Sequence, residues 1–294
     1  MSLGNSELIL NPDGSIYHLN LLPEDIATTI ITVGDPDRVS SVSKYFDSIE
    51  VKKQKREFRT HTGHLKGKRI TVLSTGIGTD NIDIVLNELD ALANIDLETR
   101  KVKSNKIQLS FIRIGTSGSI QPNIPVDSFL MSASAIGLDG LLHFYESGQC
   151  TNDDLEKKFD EFLGWSSHKI HPYAVDCDKT LGDVFTSNRI RFGITCTNSG
   201  FYGPQGRSLR LSPKIVDFNE RLAAFTYQNQ RITNLEMETA GIYGLAKMHG
   251  HRAVSLNAIL ANRATGEFSK AGGKTVDDLI KYTLERLVSS DLIS

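Results

Sequence analysis

The chain has 294 residues, enough to bury a sizeable core, and its apolar (39%) and charged (23%) fractions fit an ordinary globular α/β protein. Formal net charge is -2 at pH 7 with Lys and Arg scattered, which excludes a polybasic arm and favours a small ligand over nucleic acid. No stretch approaches the ~20 apolar residues of a membrane span, and the opening residues lack a secretion signal, so a cytoplasmic location without membrane partners is expected. Cys150, Cys177 and Cys196 are widely spaced with no C-x-x-C pair; they read as reduced packing thiols rather than a disulfide framework or zinc site.

In chain order, residues 1–16 are expected to form a flexible leading segment. Thr28–Val33 (TTIITV) reads as a buried strand, ending at the turn Gly34-Asp35-Pro36-Asp37-Arg38 before an amphipathic stretch to about Phe46. Phe58–Leu73 suggests a hairpin around Lys66-Gly67-Lys68. Ser74-Thr75-Gly76-Ile77-Gly78 precedes a helix over Ile82–Ala93, whose Ile82, Val85, Leu86 and Leu89 share one face. Residues 96–106 look like a surface insertion. Ile107–Ile114 predicts a strand ending in Gly115-Thr116-Ser117-Gly118, and Ser128–Ile136 another. The polar segment 143–190 reads as a helix plus loops. Beyond it come a strand (Arg191–Thr197), a helix (Pro213–Gln228), a short strand (Ile232–Glu236), a helix to Met248, a strand (Ala253–Ala261) and a closing helix (Val276–Val288). This alternation predicts one domain over 1–294: a three-layer sandwich with a mostly parallel, mixed central sheet flanked by helices.

Ligands of such sheets bind beyond the carboxyl ends of the strands. Gly34 and Arg38 follow the first strand, and Arg113 with Thr116, Ser117 and Gly118 closes another. Glycine lets backbone N–H groups approach an anion, hydroxyls donate, and arginine supplies paired charge-assisted bonds, so these residues make a cradle for phosphate. Each turn alone is also compatible with a mere tight connection. Gly76-x-Gly78 has Asn81 where a dinucleotide fingerprint needs a third glycine, and it lacks the Gly-Lys-Ser/Thr ending of a P-loop.

Seven segments in order, GDPDRV (34–39), REF (56–58), STGIG (74–78), RIGTSGSIQPNIPV (113–126), FYGPQGR (201–207), LEMET (235–239) and ANR (261–263), resemble the uridine phosphorylase branch of the nucleoside phosphorylase family. The resemblance runs from about Tyr17 to Arg263. It implies phosphorolysis of uridine to uracil and ribose 1-phosphate, with inorganic phosphate as co-substrate and no organic cofactor. Deoxyuridine and thymidine are further substrates that only pocket dimensions would separate. It implies that Gly34, Arg38, Arg113 and Thr116 hold the phosphate, with Arg56 added by a neighbouring subunit. His18 would reach across a dimer to the ribose 5′-hydroxyl, Glu238 would grip the ribose hydroxyls, and Glu236 and Met237 beside it would also bind the nucleoside. Thr116, Ser117 and Gly118 would line the nucleoside pocket, Phe201 would pack near base or sugar, and Gln205 with Arg207 would read the uracil edge. Glu57, the Ile77 carbonyl and Asn81 occupy the positions of a monovalent cation (K+) site at the dimer interface, although Asp80-Asn81 departs from the usual Pro-Ser. The assembly implied is a homodimer with shared sites, as a trimer of dimers. The chemistry agrees: a Gln amide and an Arg match the carbonyl and N–H pattern of uracil, and an Arg there stabilises the charge that develops as the base leaves.

A purine phosphorylase or nucleosidase of the same fold, and a non-catalytic nucleoside-binding protein, are the competing readings. The segment Leu260-Ala261-Asn262-Arg263 offers no acid to protonate a purine. His61, His64, His143, His249 and His251 read as surface or packing residues, and His168 with His171 have metal-ligand spacing but no accompanying acidic or cysteine cluster.

Overall fold

The computed structural model describes residues 2–165 and 171–291. Its elements are β1 (Thr29–Val33), α1 (Pro36–Ser43), β2 (Ser48–Lys55), β3 (Phe58–Leu65), β4 (Lys68–Ser74), α2 (Thr79–Asn94), β5 (Ile95–Asp96) and β6 (Lys101–Val102). They continue with β7 (Ser110–Ser119), β8 (Phe129–Gly137), α3 (Asp153–Leu163), β9 (Tyr173–Asp176), α4 (Lys179–Phe185) and β10 (Ile190–Thr197). The last are α5 (Phe218–Ala224), β11 (Thr226–Tyr227), β12 (Gln230–Glu236), α6 (Thr239–Met248), β13 (Arg252–Asn262), β14 (Glu267–Phe268) and α7 (Gly272–Val288).

Among the described residues a 12-stranded mixed sheet runs β11-β12-β10-β8-β13-β7-β1-β4-β3-β2, with β9 paired to β8 and β14 to β13 beside that path. Strands β4, β1, β7 and β13 are parallel at its centre, and β8, β10 and β12 are parallel beyond it. The end of β7 also pairs antiparallel with β12 through Gly118 and Ser119, so β7, β13, β8, β10 and β12 close into a ring. Adjacent residues of the central strands face opposite layers, as the two-residue period requires. Ile30 and Phe111 pack with α2 and α6, whereas Ile31 and Ile112 pack with α1, α4 and α7. This is the three-layer architecture anticipated.

Several local expectations change. Gly115–Gly118 is not a turn after the strand but strand itself, because β13 pairs along its whole length and β12 joins from the other side at Gly118. The helix predicted over Pro213–Gln228 shortens to Phe218–Ala224. Its apolar period ends at Phe225, where the chain turns into β11. The polar segment 143–190 contains a strand and a second helix, β9 and α4, besides α3. Strand β2 escaped the sequence reading because its lysine-rich run, SIEVKKQK, is an edge strand whose residues alternate exposed and half-buried. The leading residues are packed rather than loose. Leu8 and Ile16 are buried against α2, Leu10 bridges Ile16, and Arg100 in the 96–106 insertion donates to the carbonyls of Leu3 (3.0 Å) and Gly4 (2.8 Å).

Candidate active site

The end of β1 begins the site. Asp35 accepts from Asp37 N–H (2.9 Å) and Pro36 starts α1, which sets Arg38 in the first turn of the helix. Arg38 Nη1 donates to the Ile114 carbonyl (3.2 Å). Burial, and then the nearby Arg113 charge, hold its guanidinium below the ordinary arginine value. Two cations held close in a half-buried place attract an anion. Arg38 and Thr116 line one cleft of about 380 Å³ with Asp35 and Lys44. Gly34 stands against the next turn: a Cβ there would sit 3.4 Å from the Gly76 carbonyl.

Arg113 lies at the centre. Its Nη1 donates to Asn257 Oδ1 (3.1 Å), its Nη2 bonds the Glu238 carboxylate, and Glu236 Oε2 stands 3.2 Å away. Although burial works against its charge, the carboxylates of Glu236 and Glu238 hold Arg113 above the ordinary arginine value. Burial raises the Glu238 carboxyl above the usual range even though Arg113 pulls it down. Glu238 also accepts from Gly78 N–H (2.8 Å), which is free because Gly78 opens α2 at φ 96, a conformation suited to glycine. Glu236 has a different task. It accepts from Thr197 Oγ1 (2.6 Å), Glu238 N–H (3.0 Å), Thr239 N–H (2.9 Å) and Thr239 Oγ1 (2.8 Å), so it caps α6 and has little capacity left for a ligand. Met237 is half-buried between them.

The Arg113 fork fits because residue 115 has no side chain. A Cβ on Gly115 would fall 1.7 Å from Arg113 Nη1 and 2.9 Å from Asn257 Oδ1. With Arg113 as the phosphate ligand that the resemblance implies, Gly115→Ala is expected to displace the guanidinium and raise the KM for phosphate at least about tenfold, one strong hydrogen bond's worth. An unchanged phosphate KM, measured at saturating nucleoside, would mean that Arg113 does not bind it in this orientation.

The base-reading candidates form a second group. Gln205 is buried, and its Oε1 accepts from Arg207 Nη1 (2.6 Å), which also bonds the Phe201 carbonyl (2.5 Å). Arg207 Cζ lies 3.7 Å from the centroid of the half-exposed Phe201 ring. Burial and the Arg263 charge bring Arg207 down to about 10, leaving it a cation at neutral pH. Arg263 ties this second group to the end of β7: it donates to the Gln205 carbonyl, its N–H donates to the Ser119 carbonyl (2.8 Å), and its Cδ is 3.8 Å from where a Gly118 Cβ would be. Ser117 Oγ accepts from Asn234 Nδ2 (2.9 Å).

Other candidates stand apart. His18 bonds Glu88 of α2, and the exposed Arg56 follows β2 at φ 55; neither has a hydrogen bond or ion pair with the Arg113–Glu238 cluster. Glu57 and Asn81 flank Gly76, where a Cβ would meet Asn81 Nδ2 at 2.4 Å and Glu57 Cγ at 3.0 Å; the neighbouring Ile77 side chain is exposed. His168 lies outside the described residues, and among those described no cluster of three or more His, Cys, Asp or Glu is arranged to hold a metal ion. Asn257, Gly115 and the contact of Arg263 with Gln205 were not anticipated. A buried Asn inside the apolar run Ala253–Ala261 was the available signal for the first, since such a group needs a partner.

Known proteins resemble this chain in sequence and fold. The sequence profile described as the phosphorylase superfamily matches residues 28–289. A uridine phosphorylase of Thermococcus kodakarensis is 34% identical over 89% of this chain and 83% of its own length. The uridine phosphorylase of Escherichia coli is 29% identical over 87% of this chain and 89% of its own. A crystal structure of a Trypanosoma brucei nucleoside phosphorylase, described as showing uridine phosphorylase activity, superposes with a TM-score of 0.86 at 30% identity, covering 96% of this chain and all of that one (100%).

Proposed function

The chain belongs to the phosphorylase superfamily, and from that premise we propose that it cleaves uridine with inorganic phosphate, giving uracil and ribose 1-phosphate. The observation that carries this reading is that two groups are anchored on β7: Arg113 of that strand, bonded to Glu238 and close enough to Arg38 to affect its charge, and Arg207 bonded to Gln205, whose carbonyl Arg263 ties to the strand's end. Phosphate held by Arg38, Arg113, Thr116 and the Gly34 turn attacks C1′ as the C1′–N1 bond breaks. The bonding pair enters the uracil ring and its carbonyl oxygens, and the base takes its proton from solvent. Arg207 meets that growing charge, while Gln205 accepts from N3–H and donates to a carbonyl. Glu238 accepts from ribose hydroxyls once phosphate has drawn Arg113 partly away. Glu236 acts indirectly, by fixing the backbone beneath Glu238, and Phe201, Met237, Ser117 and Gly118 line the pocket.

The functional unit in this reading is a homodimer, arranged as a trimer of dimers, in which His18 and Arg56 complete a neighbour's site. The Glu57 carboxylate, the Asn81 amide oxygen and the Ile77 carbonyl would hold a K+ ion at that interface, since oxygen donors suit a hard cation. One domain over 1–294 and a cytoplasmic location belong to the same proposal. Deoxyuridine and thymidine are further candidate substrates.

A purine reaction is disfavoured by Asn262. Its Nδ2 donates to the carbonyls of Gln121 (2.9 Å) and Ile124 (2.7 Å), and its Oδ1 accepts from Ala264 N–H (2.9 Å), so it is spent on the backbone and cannot protonate a purine. The test follows base release from uridine, thymidine and inosine, with and without phosphate. Uracil release that requires phosphate is expected, with inosine inert. Release from inosine, or release without phosphate, would overturn the proposal.

A further inference from the structure

Glu88, in α2, collects several donors from the segment that precedes β1. Its Oε1 accepts from His18 N–H (3.0 Å) and stands 2.6 Å from His18 Nδ1, while Oε2 accepts from Leu19 N–H (2.9 Å). A carboxylate only accepts, so the ring nitrogen facing it, Nδ1, carries a proton. The Tyr17 ring meets the imidazole edge-on, with centroids 4.7 Å apart. Tyr17 is itself held by Lys55, whose Nζ lies 4.6 Å from the ring centroid and donates to the Tyr17 carbonyl (2.5 Å). Lys55 directly precedes Arg56. The two residues assigned to a neighbour's site are thus tied together through Lys55, although 37 positions intervene between them.

We infer that Glu88 is a positioning residue for nucleoside binding: it fixes the rotation and protonation of the His18 ring, so that Nε2 is the atom presented to the 5′-hydroxyl in the neighbouring site. The inference rests on the reading of His18 proposed above. Without Glu88 the ring has two neutral tautomers and free rotation about χ2, and only a fraction of its population can make the bond.

The test compares kcat/KM for uridine and 5′-deoxyuridine in the full-length protein and its variants. His18→Ala is expected to lower the uridine value about tenfold, mostly through KM, and to leave 5′-deoxyuridine unchanged. Glu88→Ala should lose about fivefold for uridine alone, and the double variant should lose no more than His18→Ala. Glu88→Gln keeps the shape and one acceptor and should fall in between; it decides the matter if Glu88→Ala does not fold. Long-range 1H–15N correlations should give an Nδ1-protonated His18 in the parent and mixed tautomers in Glu88→Ala. Equal losses for both substrates, or an unaltered ring signature in the Glu88 variants, would reduce Glu88 to a staple for the leading segment. A uridine to 5′-deoxyuridine ratio untouched by His18→Ala would remove the reading of His18, and this inference with it. A ratio sensitive to His18 but not to Glu88 would overturn the inference alone.

Discussion

Arg113→Ala is expected to lower kcat/KM for uridine phosphorolysis by about 10³-fold and to cost about 3–5 kcal/mol of stability, the usual consequence of leaving a buried ion unpaired. The stability loss follows from what surrounds the guanidinium. Glu236 and Glu238 are both buried, and among the described residues each has Arg113 as its only ion-pair partner. Truncation would leave two carboxylates with no counter-charge. The catalytic loss follows, in the proposed reading, from the same atom: Nη2, which bonds Glu238, is also the donor offered to phosphate. Arg113→Lys separates the effects: it keeps the charge but not the fork, so most of the stability should return while activity stays low. Urea denaturation and steady-state kinetics on both variants would check this. Near-normal activity of the lysine variant would show that only charge matters.

Arg207→Ala is expected to lower kcat for uridine by about 10²–10³-fold, the range for removing one donor to developing negative charge. A contact that acts as the base departs should matter less when the base leaves easily. 5-Fluorouridine, whose base is the more acidic, should therefore lose markedly less than uridine in this variant, and the rate should depend more steeply on leaving-group acidity. Equal losses for both substrates would assign Arg207 to ground-state binding. Phe201, stacked on the guanidinium, should show a smaller effect of the same kind.

Much of this site was legible because its parts sit at strand ends within short motifs. Gly34 with Arg38, Arg113 with Thr116, and Glu236 with Glu238 each lie close in sequence, and a resemblance to a known family carries roles onto such segments. What stayed hidden depends on register across distant strands. Asn257 reaches Arg113 because β13 pairs with β7 so that Asn257 lies opposite Gly115, a relation 142 positions apart in sequence. Glu236 read as a ligand-facing carboxylate, but its parallel pairing opposite Thr197 turns it into a helix cap. Glu88 gave no signal, since one acid on the polar side of a helix is ordinary until the chain folds back over it. The fold was misread where local pattern and tertiary pairing disagree. Thus the lysine-rich run of β2 carries no strand signal of its own, and the helix expected over Pro213–Gln228 stops at Ala224 because the chain turns at Phe225 into β11.

The closure of β7 onto β12 bears on how the protein moves. A cylinder of five strands has no outer member to peel away, so its backbone ladder cannot open from a loose end. Arg113, Asn257 and Glu236 all spring from that cylinder. Whatever breathing lets a nucleoside in must then fall to the connections, such as the exposed run from Leu209 to Val216, while the backbone beneath the charged centre stays in place and only its side chains exchange partners.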